Sequence, residues 1–172
     1  MKNKIPLEQA EYIAQKYLSM LAPYCERVEI AGSIRRRKAE VGDIEIVAQP
    51  KRVEALFGVS APIHIADPLG ATLIKGGARY RQYALPEGIN LDLFIVLPPA
   101  QWGVIFAIRT GGAEFSHKLV TPRKHGGYLP SHYTVRNGAV YHTGTDELIP
   151  TPEEEDFLSI CGVAHIPPHE RS

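Results

Sequence analysis

Three carboxylates interrupt two otherwise apolar stretches of the chain. Asp43 and Glu45 lie in the segment GDIEIV, and Asp92 lies in the run LDLFIV. Side chains alternate along a β-strand, so Asp43 and Glu45 project from the same face, about 6.5–7 Å apart along the backbone. A lone carboxylate in an apolar strand costs several kcal/mol unless it is paired, so Asp92 also needs a partner. If the two strands are neighbours, the three acids converge on one face of a sheet.

Clustered carboxylates without histidine or cysteine suit a hard divalent cation. Mg²⁺ takes oxygen ligands at about 2.0–2.1 Å and keeps waters or substrate phosphates in its remaining positions. Two such ions about 3.5–4 Å apart activate an attacking hydroxyl, steady the leaving oxygen and neutralise the charge on a transferred phosphoryl group. The acids therefore predict a two-Mg²⁺ site for phosphate chemistry, in which Mn²⁺ could substitute.

A glycine-serine turn and three consecutive arginines precede the first two acids, in the segment GSIRRRKAEV. Backbone N–H groups of such a turn, a serine hydroxyl and a guanidinium make a cradle for phosphate, and the planar fork of arginine matches phosphate oxygens. The combination predicts a triphosphate held beside the metal site. Two alternatives stay open: the acids could line a solvated strand face, and Asp92 could pair with Arg79 or Arg81 across a hairpin.

The elements that must position these residues are helices and strands of a mixed α+β fold. A first helix is expected to begin at Pro6 and to end at Pro23. A short helix is also expected over KRVEALFG, with Gly58 as its end. Strands are expected at RVEIAG, GDIEIVAQP, ATLIKG, ARYRQYAL and NLDLFIVLP, the last two joined as a hairpin through PEGI.

The later part of the chain predicts a smaller mixed subdomain. Two helices are expected, at PPAQWGVIFAIRTG and at AEFSHKLVTPRK, where Pro122 should split the second. The Asn137-Gly138 pair predicts a hairpin with a type I′ turn. A last helix is expected to be capped by Thr151 and Glu154 and to end at Gly162. The change in composition places the domain boundary after residue 105, giving domains 1–105 and 106–172.

The composition is that of an ordinary globular chain of 172 residues, 44% hydrophobic and with no net charge. Zero net charge argues against binding nucleic acid over the whole surface, although residues 105–136 carry five Lys or Arg against one acid. No apolar run approaches the roughly 20 residues of a membrane span, and no secretory segment is apparent at the start. A cytoplasmic protein without membrane contact is expected, with a nucleoid or viral setting compatible. Cys25 and Cys161 are expected to be buried or incidental thiols.

Three segments carry a resemblance to a known family. AGSIRRRKAEVGDIEIV resembles the palm signature of family X DNA polymerases, the relatives of DNA polymerase beta within the nucleotidyltransferase superfamily. NLDLFIVLPPAQWGVIFAIRTGGAEFSHKL resembles the strand with that family's third catalytic acid and the helix that leads to its T-G-[S/G] turn. IPTPEEEDFLSICGVAHIPPHERS resembles the family's C-terminal ending. The resemblance implies a polymerase beta-like palm, with a mixed sheet flanked by helices, and a small α/β C-terminal subdomain.

The resemblance also implies roles for individual residues. Asp43 and Glu45 match the acids that bridge both metals, and Asp92 matches the acid that ligates the catalytic metal beside the primer hydroxyl. The family generally carries Asp where Glu45 stands. The implied nucleotide-binding set is Gly32, Ser33, Arg36, Gly42, Thr110, Gly111 and Gly112, and the basic residues assigned to DNA are Lys118, Arg123 and Lys124.

The implied activity is DNA-directed DNA polymerisation, in gap filling or end extension during DNA repair. A primer 3′-hydroxyl would attack the α-phosphate of a dNTP and release pyrophosphate, so the expected partners are DNA and dNTP, with the chain as a monomer. The match begins at the palm, without the family's lyase domain, so DNA would be held by the palm and the C-terminal subdomain alone. Two other functions stay open: nucleotidyl transfer to an RNA end or a protein hydroxyl, and non-catalytic binding of DNA ends.

Overall fold

The computed structural model describes residues 3–54 and 56–172. The chain is α+β and divides into two compact units that part between Leu97 and Pro98. The division lies upstream of the boundary expected after residue 105, so the helix that carries WGVIFAIRT belongs to the second unit. In the part of the chain that the structure describes, no helix is both long and apolar enough to cross a bilayer.

The first unit is built on a mixed sheet of five strands. The second and third strands in spatial order are parallel, and every other pair of neighbouring strands is antiparallel. The predicted PEGI hairpin is confirmed, with the backbone N–H of Leu85 donating to Ile89 O at 3.0 Å. In spatial order the strands are β2 (Cys25–Ile30), β4 (Asp43–Pro50), β9 (Asn90–Ile95), β8 (Tyr80–Ala84) and β7 (Thr72–Lys75).

One face of this sheet is covered by helix α1 (Leu7–Leu21), which begins one residue after the expected start at Pro6 and ends before Pro23. The residues of α1 that recur at helical spacing pack against alternate residues of β4 and β9, and together they form the core of the unit. Tyr17 is fully buried there, and its hydroxyl donates to Glu87 Oε2 at 2.9 Å. This hydrogen bond ties α1 to the turn between β8 and β9. The core residues at this interface include Ala10, Ile13, Ala14, Tyr17, Leu21, Ile44, Ile46, Leu91 and Leu93.

The remaining elements of the first unit are short. Strand β1 (Ile5–Pro6) pairs with β3 (Glu40–Val41), which leads directly into β4. Helix α2 (Gly32–Arg35) is a single turn that follows β2. Strands β5 (Arg52–Glu54) and β6 (Ser60–Pro62) form a separate antiparallel hairpin, and 3₁₀ turns cover Ala22–Tyr24 and Leu56–Gly58.

The helix expected over KRVEALFG is therefore wrong in its described part, and Ala55 lies outside the described residues. Arg52 belongs to β5, and its side chain donates from Nε to Ser60 Oγ at 2.9 Å across the hairpin. Val53 is 54% exposed and Phe57 is 99% exposed, so neither of these apolar side chains packs against a core. A helix here would gain little from packing, whereas a strand gains cross-strand hydrogen bonds.

The second unit has its own core, formed between three helices and a three-stranded sheet. The predicted hairpin is confirmed, since Asn137 and Gly138 both have positive φ, at 50° and 75°. Trp102 and Phe106 are buried. The elements are α3 (Trp102–Thr110), α4 (Ala113–Val120), β10 (Tyr133–Arg136), β11 (Ala139–His142), β12 (Leu148–Ile149) and α5 (Glu154–Cys161), with 3₁₀ turns at Arg123–His125 and Pro168–Glu170.

The cap predicted for the last helix lies at other residues. The capping box of α5 is formed by Glu153 and Asp156, and the backbone N–H of Glu153 donates to Asp156 Oδ2 at 2.8 Å. Thr151 is fully buried, and its hydroxyl donates to Gln101 Oε1 at 2.9 Å. The helix begins at Glu154, so Glu153 and not Thr151 occupies the N-cap position. The helix does end at Gly162, in the left-handed conformation expected.

Both cysteines should resist thiol reagents in the folded protein. Burial raises the pKa of Cys25 to about 11 and the pKa of Cys161 to about 12. A pKa of about 11 in place of 9.0 lowers the thiolate fraction near neutral pH about a hundredfold. We expect a disulfide reagent to label the native protein slowly at pH 7 and faster as the pH rises. In denaturant both thiols should react rapidly. Rapid labelling of native protein at pH 7 would contradict this.

Candidate active site

The three predicted acids share one face of the first unit's sheet. In the parallel pairing of β4 with β9, Glu45 is the direct partner of Asp92, and Asp43 is the partner of Asn90. Partners in a parallel pair project from the same face, so residues 47 positions apart in sequence become neighbours. All three acids are half-buried. The intervening residues Ile44 and Leu91 point to the opposite face and are fully buried under α1.

Asp92 is held by neutral donors on the adjacent strand β8. Its Oδ1 atom accepts hydrogen bonds from the Tyr80 hydroxyl at 2.9 Å and from Gln82 Nε2 at 2.8 Å. The alternative pairing of Asp92 with an arginine is wrong. Arg79 donates to Leu97 O at 2.9 Å, and Arg81 lies on the other face of β8.

Arg81 serves a separate network on that other face, in which its own side chain is buried and Asp67 is exposed. Its Nη1 atom donates to Ile65 O at 2.6 Å and to Asp67 Oδ1 at 3.3 Å. The Tyr83 hydroxyl also donates to Asp67 Oδ1, at 2.6 Å. Burial and this hydrogen bond raise the pKa of Tyr83 to about 12. The network fastens the segment around Asp67 to the sheet and leaves the acids of the opposite face to their own partners.

Glu45 lies directly against the glycine of the Gly-Ser turn. A Cβ atom at Gly32 would stand 1.6 Å from Glu45 Oε2 and 2.5 Å from its Cδ. Gly32 also has a φ of +59°, in the region that favours glycine. The backbone N–H of Ala31 donates to Glu45 O at 2.9 Å, which holds the turn and the strand together. The longer arm of Glu45 therefore fits because position 32 has no side chain.

A cleft of about 430 Å³ adjoins Asp43, the first of these acids. Its walls include Ser33, Arg36, Gly42 and Asp43, which are four of the residues that the sequence singled out. Ser33 Oγ is buried and has no hydrogen-bond partner among the described residues. A buried hydroxyl without a partner is costly in a folded protein, and a phosphate oxygen would satisfy it. The full lining is Lys4, Ser33, Arg36, Lys38, Ala39, Glu40, Gly42 and Asp43.

Lys4 is the lining residue that the sequence did not reveal. It precedes β1, and the pairing of β1 with β3 brings it beside Gly42, where a Cβ atom would stand 3.9 Å from Lys4 Cγ. With Arg36 and Lys38 it gives the cleft three cationic side chains, against the carboxylates of Glu40 and Asp43. Only a non-local contact indicates this role, because no motif surrounds Lys4.

The carboxylates do not form a closed cage. Among residues 3–54 and 56–172, no three His, Cys, Asp or Glu side chains are grouped closely enough to hold one metal ion. Glu45 extends towards Gly32, and Asp92 is turned towards β8. Mg²⁺ is typically bound by one or two carboxylates completed by substrate phosphates and water, so this donor set fits Mg²⁺ that arrives with a nucleotide.

The other predicted contact residues lie in the second unit. Thr110 is fully buried, and the backbone N–H of Gly112 donates to Arg171 O at 2.6 Å. A side chain at Gly111 would stand 2.6 Å from Ser116 Oγ. The turn Thr110–Gly112 is therefore closely packed against its own unit.

The three basic residues assigned to DNA differ in their surroundings. Lys118 forms an ion pair with Glu114 at 2.7 Å, one helical turn away. Arg123 is exposed and donates to the carbonyl oxygens of Tyr128 at 3.1 Å and Cys161 at 3.5 Å. Lys124 is exposed.

No family model matches the chain, and a search of curated proteins also gives no match.

The contact between Gly32 and Glu45 predicts a specific loss of stability. Gly32→Ala places a methyl group against the Glu45 carboxylate and forces alanine into a φ of +59°. Gly88→Ala is the matched control, because Gly88 has a φ of +81° and nothing within 4 Å of its Cβ position. Each should lose about 1–2 kcal/mol through its backbone, and Gly32→Ala should lose about 1–3 kcal/mol more through overpacking.

Urea unfolding of both variants measures the difference. Adding Glu45→Ala to Gly32→Ala should recover the extra loss, since the carboxylate that the methyl group meets is then gone. Equal losses in Gly32→Ala and Gly88→Ala would contradict the close approach of Glu45.

Proposed function

We propose that this chain is a nucleotidyltransferase of the family X DNA polymerase type, which joins a dNTP to a primer 3′-hydroxyl and releases pyrophosphate. The observation that carries the proposal is the register of β4 and β9. It sets Glu45 beside Asp92 on the face that Asp43 shares, and Asp43 also lines the cationic cleft. Carboxylates for divalent ions next to cations for phosphates are what nucleotidyl transfer requires.

The residues of the cleft have complementary tasks in this proposal. Arg36, Lys4 and Lys38 bind the triphosphate by charge, and Ser33 donates its hydroxyl to a phosphate oxygen. Asp43, Glu45 and Asp92 would hold Mg²⁺, two ions in the family pattern. Bound Mg²⁺ would lower the pKa of the attacking hydroxyl and neutralise charge on the transferred phosphoryl group.

Transfer to a different acceptor is the second candidate, and a specific observation favours it. Two of the three side chains assigned to DNA already have partners at the surface of the second unit, Lys118 with Glu114 and Arg123 with backbone carbonyls. In this proposal the side chains that line the cleft serve the nucleotide, and the acceptor is left to residues outside it. An RNA end or a protein hydroxyl would use the same chemistry.

Primer extension tests the polymerase proposal. Wild-type protein with Mg²⁺ and dNTP should extend a labelled primer on gapped or recessed DNA. Asp43→Ala and Asp92→Ala should each lower the rate at least about a hundredfold, because several kcal/mol of transition-state stabilisation depends on metal ligands. Glu29→Ala is the control: Glu29 is an exposed acid on β2 of the same sheet, near Arg27 at 3.5 Å, and its loss should leave the rate unchanged.

The outcomes separate the candidates. If wild type extends no DNA end but transfers a labelled nucleotide to RNA or to protein in an Asp43-dependent manner, the acceptor is not DNA. If neither reaction occurs while DNA ends still bind, the chain is a non-catalytic relative.

A further inference from the structure

The partners of Asp92 distinguish its two carboxylate oxygens. Oδ1 accepts both hydrogen bonds, from the Tyr80 hydroxyl at 2.9 Å and from Gln82 Nε2 at 2.8 Å. Among the described residues, Oδ2 accepts none. Gln82 is the direct cross-strand partner of Asp92, and Tyr80 lies two residues away on the same face of β8. Two fixed donors on one oxygen determine how the carboxylate is rotated.

We propose that Tyr80 and Gln82 are positioning residues, which fix the Asp92 carboxylate so that Oδ2 is presented for metal ligation. The inference rests on the proposed function, in which Asp92 holds Mg²⁺. Partners of this kind orient metal ligands in many proteins, and their loss typically lowers metal affinity or activity about 10–100-fold.

The neutral chemistry of the two donors supports this role. An arginine or lysine partner would compensate the negative charge of Asp92 and so reduce its attraction for a cation. A phenol and an amide fix the carboxylate while its full charge remains. The nearby guanidinium groups are directed elsewhere, since Arg79 donates to Leu97 O and Arg81 donates to Ile65 O.

The donors are themselves held in place. The Tyr80 ring stacks on Phe94, its cross-strand partner, with centroids 5.3 Å apart and planes 29° apart. Phe94 is only 8% exposed, and β8 is bonded to a strand on each side. A tyrosine stacked in this way has few rotamers left, so its hydroxyl stays near Asp92.

The charge of the donors separates Asp92 from an acid with a structural role, which is typically paired with a cation. Asp67 gives the comparison within this chain. Its Oδ1 accepts from Tyr83 at 2.6 Å and from Arg81, a cation, at 3.3 Å. The structural acid is paired with a charge, whereas Asp92 is not.

The test uses Tyr80→Phe and Gln82→Met, with Tyr83→Phe as the matched control. Tyr83 lies on the same strand and donates to an aspartate, but from the opposite face. Two quantities are measured: the affinity for Mn²⁺ alone, by electron paramagnetic resonance, and the Mg²⁺ concentration for half-maximal primer extension. Urea unfolding reports stability separately.

Tyr80→Phe and Gln82→Met should each weaken Mn²⁺ binding and raise the Mg²⁺ requirement about tenfold, and the double variant should approach Asp92→Ala. Tyr83→Phe should lose stability and leave both metal readouts unchanged. If Gln82→Met does not fold, Gln82→Asn replaces it. The side chain of asparagine is one methylene shorter, so its amide no longer reaches Asp92, and the same loss of affinity for Mn²⁺ is expected.

Failure of this inference and failure of the proposed function give different results. Wild-type metal readouts in Tyr80→Phe and Gln82→Met, together with loss in Asp92→Ala, would overturn this inference and leave the proposed function standing. An equal effect of Tyr83→Phe on the metal readouts would also overturn it, because the role would then be structural. Wild type that neither binds Mn²⁺ nor extends any primer would overturn both.

Discussion

The parallel pairing of β4 with β9 is the constraint on which the candidate site depends. It makes Glu45 and Asp92 neighbours although most of the first unit's later strands lie between them in sequence. A shift of one residue would turn Asp92 into the core and expose Leu91 and Leu93, which are fully buried. The hydrophobic core under α1 therefore fixes the register, and through it the place of the acids.

The second constraint is the close approach of the Gly-Ser turn to β4. Gly32 leaves room for the carboxylate of Glu45, and the turn that follows supplies Ser33 to the cleft. Glu45 and the Gly-Ser turn are thus parts of one small assembly. The extra methylene of glutamate is accommodated by a missing side chain and not by a shift of the strand, which explains how Glu45 fits where aspartate is usual in the family that the sequence resembles.

Local patterns predicted the elements whose stability is local. Alternation along β4 and the turn residues of both hairpins were sufficient, so the acids were assigned to the correct face. Residues 51–58 were mistaken for a helix because β5 is stabilised by its pairing with β6, which no local pattern reports. Lys4 was missed for the same reason, since β1 and β3 are far apart in sequence. Side-chain orientation was equally beyond the sequence: the donors Tyr80 and Gln82 are recognised only from the register of β8 with β9.

Each unit of the chain encloses its own apolar core, one built on α1 and the five-stranded sheet and the other on α3, α4 and α5. The acids, the Gly-Ser turn and the cleft all belong to the first. Because each core lies within one unit, recombination near Leu97 would exchange one unit and leave the packing inside the other unchanged. The arrangement of the acids and the cleft would then pass unchanged to a chain with a different second unit.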